Sequence, residues 1–307
     1  MHDGSRKAVV AALFANAGIA VAKFVGAAVT GSSAMLAEGI HSVADSGNQA
    51  LLLFGGTRAS RAPTPQHPFG YGRERYFWSF VVALVLFSVG GLFAIYEGID
   101  KLRHPHEVSS PQWAIGILLL GLVLEGYSLR TAVKESNKLR GKTNWWRFVR
   151  RTRHPEIAVV LLEDLGALIG LLLALVGVSL SAGLDEPRFD AAATLSIGIL
   201  LVIIAVFLAI EMKSLLIGES AADDDERGIT KALEDAPEVL RVIHMRTQHL
   251  GPDELLVGAK LEFSPGLSME ALATAINEAE SRAREAVPSA RILYIEPDLF
   301  RAPAHPD

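Results

Sequence analysis

Residues 34–54 read Ala34-Met-Leu-Ala-Glu-Gly-Ile-His41-Ser42-Val-Ala-Asp45-Ser-Gly-Asn48-Gln-Ala-Leu-Leu-Leu-Phe54, an apolar run with an imidazole and a carboxylate near its middle. His41 and Asp45 are four residues apart, so a helix places both side chains on one face. Burying the Asp45 carboxylate in hydrocarbon costs roughly 2–3 kcal/mol. A membrane helix that keeps such groups generally uses them on an ion or a proton. The stretch therefore predicts a functional site inside a membrane-spanning helix.

The rest of the chain has the composition of a multi-pass membrane protein. Its 307 residues are 50% hydrophobic and only 21% charged. Six apolar segments are long enough to cross a bilayer at about 20 residues each; they cover residues 8–30, 33–55, 77–99, 112–132, 156–178 and 191–213. A charged segment follows from Glu219 onward. We therefore predict a membrane all-α six-helix bundle in residues 1–218 and a small cytoplasmic domain in residues 219–307.

The distribution of Lys and Arg predicts the orientation. Fifteen of them fall on the side of the N-terminus, whereas the opposite side has only Lys101, Arg103 and Arg188. This asymmetry follows the positive-inside rule, so we expect both termini in the cytoplasm and an inner (plasma) membrane location. A signal peptide ending at 15–17 is less favoured, because the apolar run continues through Val29.

The residue inventory excludes several classes of site. The chain has no cysteine, so any metal is held by His, carboxylate, amide or water. No basic domain with interleaved aromatic residues favours nucleic-acid binding. Ser42 and His41 are adjacent, and adjacent helical side chains point about 100° apart, too far for a nucleophile and its base. We expect neither an enzyme nor a prosthetic group.

Two acidic residues in different segments are predicted to lie at one depth. Asp45 is about 12 residues into the second segment and Asp164 about 8 into the fifth, which runs the other way, so their heights agree within roughly 5 Å. His41, Asp45 and Asp164 are therefore the predicted metal ligands, a set that suits Zn(II) and tolerates Mn, Fe or Co. The fourth position remains open to Glu163, Ser42, Asn48 or water. A buried His–Asp pair that only joins helices is the plainer alternative, but it leaves Asp164 unexplained.

Other ionisable residues of the predicted spans are interpreted as interfacial or helix-pairing groups. The Lys23 side chain can extend along its stem to the membrane surface. Glu97, Glu125 and Glu211 lie within a turn or two of a span end. Glu163 points away from the Asp164 face in a regular helix and would need a distortion to join it.

Four motifs, in order along the chain, resemble the cation diffusion facilitator family of ZnT-type divalent metal transporters. They are Ser32-Ser33-Ala34 with Glu38-x-x-His41-Ser42-x-x-Asp45, His67-Pro-Phe-Gly70-Tyr-Gly72-x-Glu74-Arg75, Glu97-x-Ile99-x-x-Leu102-x-x-Pro105, and Leu215-Leu216-Ile217-Gly218-Glu219. The resemblance covers nearly the whole chain.

The resemblance implies a homodimeric, proton-coupled antiporter that exports divalent cations from the cytoplasm. It also implies a cytoplasmic α+β ferredoxin-like (metallochaperone-like) domain after the six-helix bundle. His41, Asp45 and Asp164 match three transport-site ligands of the family, whereas Val160 stands where the family has a His or Asp. A membrane-bound metal sensor or scaffold of the same fold, without net transport, is the alternative.

The tail sequence predicts the order α-β-β-α-β. The strands are expected at residues 241–247, 255–263 and 291–295, and the second helix at 268–285. Of the positions where family members bind additional metal, only His244 is suitable, since the others are Lys260, Tyr294 and Glu296. We therefore expect a dimer-forming domain, and we interpret His249 as a turn residue.

The loop between the fourth and fifth predicted spans is strongly basic. Nine Lys or Arg residues fall between Arg130 and Arg153, around Trp145-Trp146. This composition predicts contact with anionic lipid headgroups rather than with metal.

Overall fold

The structure is a computed structural model that describes residues 18–301. Within that range the chain forms two compact units, one of residues 18–57 and 75–213 and one of residues 58–74 and 214–301. The first unit is helical: α1 Gly18–Thr30, α2 Ser33–Ala59, α3 Glu74–Arg103, α4 Pro111–Arg140, α5 Trp145–Arg151, α6 Pro155–Leu184 and α7 Arg188–Ile217. α3 contains a π-helical segment, Leu86–Leu92.

Four of the described helices, α3, α4, α6 and α7, are long and apolar enough to cross a membrane. α2 has 27 residues, which extend about 40 Å, but its polar residues lower its hydropathy. α1 is a shorter apolar helix from Gly18 onward, and residues 8–17 of the predicted first span lie outside the described part of the chain. The membrane helical domain is thus confirmed, and the six-span count stays a prediction.

Proline and glycine set several helix ends. Pro111 and Pro155 occupy the first turns of α4 and α6, where a missing N–H costs no helical hydrogen bond. α4 continues to Arg140, eight residues beyond the predicted span, and ends at Gly141 with a φ of 56°. The extension is polar, so hydropathy alone placed the end of this helix too early.

The core of the helical unit is built from small and branched residues of several helices. Ala34 and Met35 of α2, Leu171 and Ala174 of α6 and Leu208 of α7 are completely buried. Small side chains let helix backbones approach closely, which is the usual way that membrane helices pack.

The second unit contains α8 Asp223–Glu234, β1 Val239–Gly251, β2 Glu254–Phe263, α9 Met269–Ala286 and β3 Ile292–Pro297. The sheet order is β1-β2-β3, with β1 antiparallel and β3 parallel to β2. Alternate residues of β2, from Leu255 to Phe263, are buried in one apolar cluster with residues of α8 and α9. The small α+β domain and its predicted element order are confirmed.

Ser268 caps α9, because its side chain accepts a hydrogen bond from the Ala271 amide at 3.2 Å. The interpretation of His249 as a turn residue is wrong: it lies in β1, is buried, and pairs with Leu255 of β2. The hairpin turn comes after Gly251, so β1 is longer than its apolar pattern indicated.

The loop of residues 58–74 belongs to the second unit, and one of its glycines is required there. A Cβ on Gly72 would lie 2.6 Å from the Leu250 carbonyl oxygen and 3.1 Å from the Gly251 Cα. A side chain at position 72 is therefore excluded by the β1 backbone. This contact gives a structural reason for the second glycine of the Gly70-Tyr-Gly72 motif.

Candidate metal centre

The His41–Asp45 pair lies inside the helical unit, as the sequence predicts. The Nε2 atom of His41 is 3.4 Å from Oδ2 of Asp45, and the imidazole is 1% exposed. Within the described residues, neither ring nitrogen makes a hydrogen bond, nor does Oδ1 of Asp45. The π segment of α3 approaches the ring, because a Cβ on Gly90 would be 3.9 Å from Nδ1. The pair thus keeps unused ligand atoms in a buried place.

One small cavity joins Asp45 and Asp164. The cavity volume is about 10 Å³, measured as the space that the centre of a water molecule can occupy, and it holds about one water. Its lining also contains two further carboxylates and two hydroxyls from α2, α4 and α6: Ser42, Glu125, Ser128 and Glu163. Carboxylates from three helices therefore surround one small polar space, with Val160 on its apolar side.

His41 does not line this cavity, although its imidazole contacts Asp45, which does. In the part of the chain that the structure describes, no three His, Asp or Glu side chains are close enough to hold a metal ion together. The structure therefore brings Asp45 to both His41 and the Asp164 cavity, but it does not gather the three predicted ligands into one coordination sphere.

Two predictions about the acidic residues are corrected. Glu163 joins the cavity without a distortion of α6, because the cavity lies between the faces of Glu163 and Asp164. Asn48 holds it there by donating Nδ2–H to Oε1 at 2.6 Å. Glu125 also lines the cavity, so it is not merely one of the interfacial or helix-pairing groups among which it was placed. Ser128, three residues after Glu125 and so on the same face of α4, donates a hydrogen bond to Asp164 Oδ2 at 2.9 Å. This spacing of Glu125 and Ser128 is the sequence signal that could have identified Glu125 as a cavity residue.

Lys23 is a buried cation next to this region. Its ammonium donates to Glu38 Oε2 at 3.1 Å and to the Ser42 hydroxyl at 2.7 Å, and both charged side chains are 0% exposed. The prediction that Lys23 extends to the interface is therefore wrong. A charge in a membrane interior is tolerated when it is paired, and Glu38 supplies that pairing. The same contact links α1 to the ligand-bearing helix α2.

A second buried network ties the start of α2 to α3 and α7. Asp190 of α7 is 0% exposed and accepts hydrogen bonds from the Ser32 hydroxyl at 2.7 Å and from the amide and hydroxyl of Ser33 at 3.0 and 3.1 Å. Lys101 of α3 donates to the same carboxylate at 3.0 Å and to the Gly31 carbonyl at 2.7 Å. Asp190 therefore acts as an N-terminal cap that another helix supplies to α2.

In the α+β unit, a lysine neutralises the carboxylates at the candidate metal positions. His244 pairs with Lys260 across β1 and β2, and Lys260 pairs with Glu296 across β2 and β3. The ammonium of Lys260 lies 2.9 Å from Glu296 and 3.2 Å from Asp298. These two hydrogen bonds raise the pKa of Lys260, which stays protonated and favours carboxylate pairing over metal.

Comparisons with known proteins agree with the motifs. A family model described as the cation efflux transmembrane domain matches residues 9–217. The chain is 33% identical over 263 residues to a Xenopus laevis protein named proton-coupled zinc antiporter SLC30A9, mitochondrial, which covers 85% of this chain and 47% of that protein. It is 29% identical to metal tolerance protein C4 of Arabidopsis thaliana, over 85% of this chain and 57% of the relative. The chain spans about half the length of these curated relatives.

A bacterial relative and a solved structure add a weaker likeness. Magnetosome protein MamM of Magnetospirillum gryphiswaldense is 26% identical, over 78% of this chain and 72% of its own length. A structure of a MamM C-terminal domain in its nickel form covers 26% of this chain and 100% of that domain at 16% identity, with a TM-score of 0.25. That score is too low to support a fold assignment for the α+β unit.

Proposed function

Because the chain belongs to the cation efflux family, we propose that it is a proton-coupled antiporter that exports divalent transition-metal cations, zinc above all, from the cytoplasm. The observation that carries the proposal is the cavity between α2, α4 and α6, in which carboxylates of three helices meet. Four carboxylates around one small cavity repel one another unless cations or protons neutralise them. A divalent cation and protons would therefore compete for the same groups, which is the physical requirement of antiport.

The proposed ligands are His41, Asp45 and Asp164, with Glu163 in the fourth position. Asp45 and Asp164 line the cavity, and the Nε2 atom of His41 lies 3.4 Å from Oδ2 of Asp45. Glu163 supplies the oxygen ligand that Val160 cannot. Carboxylates and a neutral imidazole form a ligand set that suits Zn(II) and also accepts Mn, Fe or Co.

The architecture we propose has a six-span transport domain in residues 1–218 and a cytoplasmic, ferredoxin-like dimerisation domain in residues 219–307. The excess of Lys and Arg on the side of the termini supports the cytoplasmic orientation. A homodimer is proposed because family members of this type are expected to pair through the tail. The predicted plasma-membrane location has no support from the relatives, some of which are named as mitochondrial.

Transport by the purified protein in liposomes tests the proposal. Zinc added outside the vesicles should enter them while protons leave to the outside, and a pH-sensitive dye inside the vesicles records the resulting rise of internal pH. Asp45→Asn and Asp164→Asn should each abolish both signals, because each removes a charged ligand. Asp100→Asn is the matched control, since this exposed carboxylate pairs only with His104 among the contacts described.

The outcomes separate the two functional classes. Zinc uptake coupled to proton movement, lost in both cavity variants and kept in the control, supports antiport. Zinc binding without flux would indicate a membrane-bound metal sensor or scaffold instead. Normal transport by both cavity variants would show that the proposed site is wrong.

A further inference from the structure

An apolar groove opens on the helical unit at the end where α4 finishes and α6 begins. Its volume is about 480 Å³, within the range of small-molecule sites. Every lining residue is apolar or aromatic, and the lining comes from α4, α5, α6 and α7: Leu129, Val133, Trp145, Trp146, Val149, Leu161, Leu162, Leu165, Ile203, Ile204 and Phe207. This groove is separate from the acidic cavity, with which it shares no lining residue.

The short helix α5 forms the rim of the groove and is amphipathic. Phe148 and Val149 are buried against α6, whereas Arg147, Arg150 and Arg151 lie on the opposite face, since helical residues advance by about 100°. Such a helix, with arginines on one side and apolar residues on the other, is typical of one that lies in the plane of a membrane interface.

Each tryptophan at the rim holds an arginine over its ring. The guanidinium carbon of Arg140 is 4.5 Å from the ring centre of Trp145, and that of Arg150 is 5.8 Å from the ring centre of Trp146. The Trp146 ring packs at 5.4 Å against Phe207 on the groove wall. Two guanidinium groups are thus placed at the rim of the apolar groove.

We propose that this groove binds an anionic phospholipid, with an acyl chain in the groove and the phosphate on the arginines of its rim. Charge complementarity carries the choice of ligand, because residues 130–153 contain nine Lys or Arg and a single acidic residue, Glu135. Glu211 lies 3.3 Å from Arg150 and offsets part of that charge. A guanidinium group binds phosphate oxygens through paired hydrogen bonds.

The basic rim argues against a second copy of the chain as the occupant. A two-fold interface at this face would place two rims with the same charge opposite each other, which is costly. A neutral lipid would fill the groove equally well but would bring no anion to the rim, where Glu211 offsets only part of the positive charge. The proposal concerns the lipid-facing surface and does not depend on which ion the bundle transports.

Lipid titration of the full-length protein in detergent, followed by native mass spectrometry, tests the proposal. The probes are phosphatidylglycerol and phosphatidylcholine with identical acyl chains. Wild type should bind phosphatidylglycerol at least about tenfold more tightly. The double variant Arg140→Gln/Arg150→Gln should lose on the order of 10- to 30-fold in affinity for phosphatidylglycerol alone. The matched control, Arg103→Gln/Arg188→Gln, removes two exposed arginines at the other end of the bundle and should change neither affinity.

A second pair of variants tests the groove itself. Leu165→Trp fills the groove and should weaken the binding of both lipids, whereas Leu172→Trp, two turns further along α6 and similarly exposed, should not. The thermal unfolding midpoint of each variant separates lost binding from lost folding. Equal affinity for the two lipids, or an unchanged affinity after either the arginine or the groove substitution, would overturn the proposal. A loss of dimer mass with Leu165→Trp, without a loss of lipid, would assign the groove to a second copy and overturn it as well.

Discussion

Replacing Asp190 with asparagine should destabilise the helical unit strongly, because this carboxylate holds three helices together. It accepts hydrogen bonds from Ser32 and Ser33 at the start of α2, and it neutralises Lys101 of α3. The Lys101 side chain is only 4% exposed. Without the carboxylate, its ammonium keeps only the Gly31 carbonyl as a described partner. The variant therefore leaves a buried cation without its ion-pair partner.

The structure allows the size of the effect to be worked out. Removing one partner of a buried ion pair costs about 3–5 kcal/mol. For a domain of this size, each kcal/mol lowers the midpoint of thermal unfolding by about 2–4 °C, so Asp190→Asn should lower it by about 6–20 °C. Lys101→Met should cost less, about 1–3 kcal/mol, since Asp190 keeps its three hydrogen bonds from the two serines.

A double-mutant cycle in one detergent measures the interaction directly. The four proteins are wild type, Asp190→Asn, Lys101→Met and the double variant, and the thermal midpoint of each is recorded. Asp190→Asn should cost at least about 1 kcal/mol less when Lys101 is already methionine, because no buried cation is then left unpaired. Asp100→Asn, at an exposed site on the same helix as Lys101, should change the midpoint little. If the two single effects add within about 0.5 kcal/mol, the interpretation of the network as a buried ion pair is refuted.

Two further predictions concern a close helix contact and a surface carboxylate. Gly170→Ala should destabilise the helical unit by about 1–3 kcal/mol, because its Cβ would collide with Oε1 of Glu38, whose buried carboxylate is held by Lys23. Gly116→Ala, where the Cβ meets nothing within 4 Å, is the control, and equal thermal midpoints of the two variants would contradict the clash. The Leu299 amide and Lys260 lower the pKa of Asp298 in the folded protein. The stabilisation that Asp298 gives is therefore complete above the pKa that this residue has in the unfolded chain, and it is lost as the pH falls through the lower pKa of the folded state. Asp298→Asn should flatten this acid dependence slightly when thermal midpoints are compared between about pH 6 and about pH 3, and an unchanged curve would show that the contact is absent in solution.

Hydropathy and periodicity predicted the larger features because they act within one segment of chain. The apolar helices, the α-β-β-α-β order and the one-face arrangement of His41 and Asp45 all depend on residues close in sequence. The same reasoning failed for Lys23 and Glu125. Distance from a span end was taken as proximity to water, whereas Glu38 and the cavity lining determine where these side chains lie. A long polar side chain can adopt several conformations, and the partners it meets in the folded protein determine which one it adopts.

The amino-acid sequence on its own determined that this is a membrane protein with a small α+β tail and with acidic residues at matching depths in separate helices. Those properties follow from local composition and from helix length, which neighbouring residues define. Only the tertiary structure decided that Glu125 and Glu163 join Asp45 and Asp164 around one cavity, whereas His41 contacts Asp45 without lining that cavity. The rotation of each helix about its axis sets these neighbours, and that rotation is a property of packing between residues more than a hundred positions apart.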